Sequence, residues 1–251
     1  ARSHYSRSIM RAVAAHGWSG VVPHFRGCSG EPNRLPRAYH SGDSAEIDWI
    51  LQRLRSLFPQ RTLYAAGVSL GGNALLKWAG EQQGTARDVV QALAAVCAPL
   101  DLTAAGQALQ QGFSLVYAKR FLVTLKANSR AKLARFPGLF DERRMLSART
   151  LYDFDDAVTA PVHGFRDAAD YWRRASSKPW LGGVRLPALV LNALNDPFLP
   201  RQALPGPQQV SASVRLEYPE AGGHVGFVSG AFPGHLGWLP QRLLDFFDSQ
   251  R

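Results

Sequence analysis

Thr62-Leu63-Tyr64-Ala65-Ala66-Gly67-Val68-Ser69-Leu70-Gly71-Gly72-Asn73-Ala74-Leu75-Leu76-Lys77-Trp78 is the stretch that decides the fold. Thr62–Val68 is an apolar run of strand length. Leu70–Glu81 has Leu75, Leu76, Trp78 and Ala79 as its apolar residues and reads as a helix. Between them lies Gly67-Val68-Ser69-Leu70-Gly71, a G-x-S-x-G match in the strand-to-helix context that gives the motif meaning. So sharp a reversal strains the φ/ψ angles of the serine. Glycines at 67 and 71 remove Cβ atoms that would crowd the turn. The Ser69 hydroxyl then projects above the sheet. The Leu70 N–H lies at a helix N-terminus, where unpaired donors and the dipole favour an oxyanion. The competing readings are a glycine-rich turn that only packs, or one that binds phosphate. Gly67, Gly71 and Gly72 do not fit G-x-G-x-x-G, and no G-K-[ST] follows, so nucleotide binding is disfavoured.

Working outward, further apolar runs read as strands at Gly20–Phe25, Val89–Val96, Ala188–Leu194 and Val214–Tyr218. Helices are predicted at Ser6–His16, with Ser6 as N-cap and Gly17 as stop, at Asp43–Phe58 ahead of Pro59, and at about Leu236–Phe247. Arg26–Ser41 is a polar loop rich in Gly and Pro. From about 101 to 180 short helices replace strands, with Phe113, Tyr117, Phe121, Lys119, Arg120 and Lys126 intermixed. Strand–helix alternation predicts an α/β fold, a mostly parallel sheet flanked by helices. The helical stretch is an insertion over the carboxyl edge of the sheet, where such folds bind ligands.

A serine nucleophile needs a base, and the base needs an orienting acid. In a sheet with this elbow the order along the chain is Ser, acid, His. His224, in Gly222-Gly223-His224-Val225-Gly226-Phe227 after the last strand run, is the candidate base, and His235 the weaker one. Asp196, in Asn195-Asp196-Pro197 after Ala188–Leu194, is the candidate acid. Asp101 competes with it, and a turn or helix-capping role is the alternative for Asp196. No metal and no cofactor is required. Cys28 has no base indicated for it, so a thiol nucleophile is disfavoured. Arg26, Cys28 and Glu31, on a loop leaving a strand end, are candidate pocket residues; a structural turn with an internal ion pair is the alternative.

His24-Phe25 with Arg26-Gly27-Cys28-Ser29-Gly30-Glu31-Pro32-Asn33, the elbow through Asn73, Asn195-Asp196-Pro197-Phe198 and the Gly-Gly-His loop together resemble the YheT-like (AB hydrolase 4) branch of the α/β-hydrolases. The resemblance covers essentially the whole chain. It implies the α/β-hydrolase fold with a helical cap at about 101–180. It also implies a serine hydrolase of carboxylic, lipid-like esters, with Ser69 as nucleophile, Asp196 as orienting acid and His224 as base. The partner is then a small-molecule ester. Acyl transfer to an alcohol shares the same three residues, and a non-catalytic module binding anionic lipid or RNA is the reading from a different class. The resemblance further implies strands and a His-Gly-rich loop ahead of residue 1. That loop normally gives the second oxyanion N–H, so the 251 residues are expected to be a fragment of one α/β-hydrolase domain. Loss of one such donor costs roughly 10²–10³ in rate.

Composition sets outer limits. Hydrophobic residues are 46% and charged residues 19%, which excludes a disordered chain. No apolar run approaches the roughly 18 residues of a membrane span. The opening stretch, with Arg2, His4 and Arg7, lacks the apolar core of a secretion signal. Two cysteines cannot build a disulfide framework, and a reducing, cytoplasmic setting is expected. Twenty-nine Lys+Arg against 19 Asp+Glu give a net charge of +10. The cations are scattered rather than blocked, which favours a solvated basic surface over specific nucleic-acid binding and leaves room for weak contact with an anionic membrane.

Overall fold

The computed structural model describes residues 3–251. Arg2, counted above in the opening stretch, lies outside them. Four parallel strands, β1 (Tyr64–Val68), β2 (Ala92–Val96), β3 (Ala188–Leu191) and β4 (Val214–Glu217), stand side by side in chain order. Register pairs Val68 with Val96, Val96 with Leu191, and Leu191 with Glu217. The carboxyl ends of all four strands therefore open on one edge of the sheet. β2 and β3 are buried along their whole length, which is why they read as continuous apolar runs rather than alternating ones.

One face of the sheet is packed by α2 (Ser44–Leu57) and α3 (Leu70–Gln82), with Leu75, Leu76 and Trp78 against Leu93, Ala95 and Val190. The Trp78 indole N–H donates to Asp48 Oδ1 at 2.9 Å, locking α3 to α2. The other face is packed by α1 (His4–Ala15) and α11 (Trp238–Asp248), through Leu243, Phe246 and Phe247. The short α4 (Ala86–Val89) leads into β2. Between β2 and β3 come six helices: α5 (Leu102–Ala108), α6 (Ser114–Arg135), α7 (Glu142–Ser147), α8 (Leu151–Phe154), α9 (Ala160–His163) and α10 (Ala168–Ala175). They carry a small apolar core of their own around Leu122, Phe140, Met145 and Phe154. Asn73 ties this layer to α3. Its amide donates to Ser41 O and Ala175 O, each at 2.8 Å, and accepts from Ser177 N–H at 2.9 Å. Among the described residues no helix is long and apolar enough to cross a membrane.

Three expectations need correction. Gly20–Phe25 is not a strand. β1 is the edge of the sheet among the described residues, so this run has no ladder to join, and Val21 is 58% exposed. The first helix begins three residues earlier than predicted. Ser3, not Ser6, caps it, accepting from the Ser6 N–H. The segment between β2 and β3 is not made only of short helices, because α6 runs for 22 residues.

Candidate active site

Ser69 joins β1 to α3 with φ 53 and ψ −122, a region that costs a non-glycine residue strain energy. Its N–H donates to Val96 O at 2.8 Å, so the turn is held by the neighbouring strand. The glycines around it are not equivalent. A Cβ on Gly67 would lie 2.5 Å from Gly71 O and 2.6 Å from the Gly72 Cα. One on Gly72 would lie 2.9 Å from the Ala98 Cβ. One on Gly71 would meet only the Phe25 ring, at an ordinary 3.9 Å. Gly67 and Gly72 are therefore the positions where helix and strand approach too closely for a side chain. Leu70, the first residue of α3, presents an N–H that has no acceptor within the helix.

The other two side chains arrive from the neighbouring strand ends. Past β3 and β4 the pairing continues through Asn192 N–H to Glu217 O at 3.1 Å and Leu194 N–H to Pro219 O at 2.8 Å. This carries the Asn195-Asp196-Pro197 turn and the Gly222–Phe227 loop out of the sheet side by side. The Asn195 Oδ1 accepts from the N–H groups of Gly222 and Gly223, at 3.0 and 2.8 Å, and splints the two loops. His224 Nδ1 lies 2.8 Å from Asp196 Oδ2, and His224 Nε2 lies 3.0 Å from Ser69 Oγ. A carboxylate only accepts, so Nδ1 carries the proton and Nε2 is left to accept from the Ser69 hydroxyl. The Asp196 carboxylate is 0% exposed, and its Oδ1 accepts from the Phe198 N–H at 2.9 Å. The Phe198 ring lies 4.6 Å from the His224 ring.

Strain concentrates here. Of the five described non-glycine residues with positive φ, Ser69, Cys97, Val225 and Phe227 are in or next to this site. Cys97 follows β2, fully buried, and its thiol donates to Gly223 O at 3.6 Å. Burial, with the Asp196 charge beside it, pushes that thiol up to about 12. Cys97, Asp196 and His224 could offer three metal-ligand atoms within 4.8 Å of one another. Yet the Asp196 and His224 atoms are already bonded to each other, and the thiol strongly resists the deprotonation a metal requires.

The remaining candidates lie elsewhere. Asp101 caps α5, accepting from the Ala104 N–H at 3.1 Å. His235 is bridged to Ser229 in its own loop. Arg26 pairs with Glu46 at 3.0 Å. Cys28 and Glu31 are exposed. Their loop reaches the elbow through Phe25, against Gly71, rather than through these three residues. Phe25, Asn195, Cys97 and Phe198 are the site residues that sequence reading did not single out. Phe25, Asn195 and Phe198 lie inside quoted motifs, which was the only signal for them, and Cys97 had none beyond its place after an apolar run.

The profile of the family described as "alpha/beta hydrolase fold" matches residues 1–231. The chain belongs to the α/β-hydrolase family. Within it the chain falls in the YheT-like (AB hydrolase 4) branch. It is 40% identical over 247 residues to the "Putative esterase YheT" of Escherichia coli, spanning 97% of this chain and 72% of that protein. It is 28% identical over 232 residues to human phospholipase ABHD3, spanning 92% of this chain and 56% of that one. The chain thus covers little more than half of the human relative. Among solved structures, an esterase from Exiguobacterium antarcticum superposes with a TM-score of 0.59 at 16% identity, covering 97% of this chain and 87% of its own, which speaks for the shared α/β-hydrolase fold.

Proposed function

We propose that this α/β-hydrolase chain carries the catalytic residues of a serine carboxylic ester hydrolase acting on lipid-like esters. The observation that carries the reading is the line Ser69 Oγ–His224 Nε2–His224 Nδ1–Asp196 Oδ2, with links of 3.0 and 2.8 Å. In this reading His224 takes the proton of Ser69 as its oxygen attacks the ester carbonyl. The negative oxygen that forms accepts from the Leu70 N–H. His224 then gives the proton to the departing alkoxide. The acyl group stays on Ser69 until water, activated by the same imidazole, releases the acid. Asp196 holds the ring tautomer and stabilises the imidazolium.

The helices α5–α10 serve as the cap of this domain. Phe198, against His224, with Tyr117 and Phe121 of α6 at 5.0 and 6.3 Å from it, offers an aromatic wall to an acyl chain. The names phospholipase and esterase carried by the relatives agree with such a substrate. Two free cysteines fit a cytoplasmic setting.

A fluorophosphonate should label the full-length protein on Ser69, and that protein should hydrolyse p-nitrophenyl acyl esters. The Ser69→Ala variant should do neither. Undiminished hydrolysis by Ser69→Ala would remove the reading.

A further inference from the structure

α6 is built unlike any helix that packs the sheet. Its buried residues, Ser114, Ala118, Leu122 and Ser129, form one narrow stripe at helical spacing. Beside that stripe Phe113, Val116, Tyr117, Arg120 and Phe121 follow each other at i, i+3, i+4, i+7 and i+8, and all are exposed, Phe113 by 75% and Val116 by 57%. A soluble helix ordinarily turns its polar face outward; here the outer face is aromatic and aliphatic. The charges are one-sided as well. α6 has six cations, Lys119, Arg120, Lys126, Arg130, Lys132 and Arg135, and no carboxylate. The last four are engaged by carbonyls or by Glu142. Arg120, within that outer face, and Lys119, beside it, have no ion pair among the described residues.

The same face runs into the candidate site. The Ser114 hydroxyl donates to Pro197 O at 3.0 Å, pinning the start of α6 to the acid turn. The Phe113 ring lies 5.9 Å from Tyr117, Tyr117 lies 5.0 Å from Phe198, and Phe198 lies 4.6 Å from His224. A line of aromatic rings in contact leads from solvent to the imidazole.

We propose that the outer face of α6, from Phe113 to Val123, is a docking surface for an anionic phospholipid bilayer. Exposed aromatic and aliphatic side chains flanked by unpaired cations are what an interfacial helix presents to headgroups and acyl chains. A second copy of this chain would set one anion-free cationic helix against another, which like-charge repulsion disfavours. RNA would pair with the cations but leave Val116 and Val123 without a role. Docking would place an ester drawn from the bilayer at the outer end of the path to His224; this delivery step rests on the hydrolase reading above, whereas docking itself does not.

The test is co-sedimentation of the protein with phosphatidylcholine vesicles, with and without phosphatidylglycerol. Binding should need the anionic lipid and weaken with salt. The Lys119→Gln/Arg120→Gln variant should lose roughly 30-fold in affinity, at about 1 kcal/mol per cation near an anionic surface and about 1.4 kcal/mol per factor of ten. Arg11→Gln/Arg53→Gln, the same charge change on α1 and α2, should stay within about twofold. Equal losses in the two variants, or no preference for the anionic vesicles, would overturn the proposal. So would binding of single-stranded RNA that is lost on Lys119→Gln/Arg120→Gln while vesicles are not bound. Far-UV circular dichroism and hydrolysis of a short soluble ester should be unchanged in both variants. A full-length wild-type protein that hydrolyses nothing yet sediments with anionic vesicles would keep the docking surface and sink the hydrolase reading.

Discussion

β2 and α6 use apolar residues in opposite ways. Every residue of β2 is buried, and so are nine of the thirteen in α3, the helix that follows Ser69. α6 buries four of 22. The first pair fixes where Ser69 stands, and β3 and β4, laddered onto β2, carry the loops of Asp196 and His224; close-packed side chains transmit position with little give. The second faces outward and holds no strand in place. The candidate site and α6 are therefore built from regions with different tolerance to change.

The contrast can be tested by substitution. Asp196→Asn should lower kcat of ester hydrolysis by about 10⁴, because the amide presents a donor to His224 and favours the wrong tautomer; circular dichroism should be unaltered. Leu93→Ala, at a fully buried position of β2, should cost about 2–5 kcal/mol in chemical denaturation. Val123→Ala on α6 should stay within about 0.5 kcal/mol, and equal costs would erase the distinction. Within the elbow itself, Gly67→Ala should destabilise by about 1–3 kcal/mol through overpacking. Gly71→Ala, which has room, should be neutral or stabilise by up to about 1 kcal/mol as a better helix former.

The smallest effect concerns pH. The ring of His163, the last residue of α9, stands 4.6 Å from the His40 ring. Burial pushes both down to about 4, against some opposite pull from Asp43. Between about 4 and the ordinary 6.5 the unfolded chain binds more protons than the native one, so stability should fall as pH is lowered through that window. His163 Nε2 is buried without a hydrogen-bond partner among the described residues. His163→Phe should thus flatten the plot of Tm against pH there, and an unchanged slope would assign the loss to other groups.

What sequence reading captured was local. The elbow was legible because strand, Gly-x-Ser-x-Gly and helix follow without a break. The acid and imidazole loops were legible because each follows an apolar run. Gly20–Phe25 was misread because strand character depends on a neighbour, and a run of valines does not say whether one stands beside it. Gly72 was passed over in favour of Gly71 because a consensus motif carries no distances. Ser6 and Ser3 are both acceptable caps, and only backbone geometry chooses Ser3. The role of Asn195 as a splint was invisible, since the two N–H groups it accepts belong to a loop 27 and 28 residues further on.

That splint has a consequence of its own. The loops bearing Asp196 and His224 are stitched to each other and to adjacent strand ends, while α6 touches them through the Ser114 hydroxyl and a few aromatic rings. Rewriting the helices between β2 and β3 would then change which molecules arrive at Ser69 without retuning how its hydroxyl is held, so selectivity and reactivity in this scaffold can drift separately.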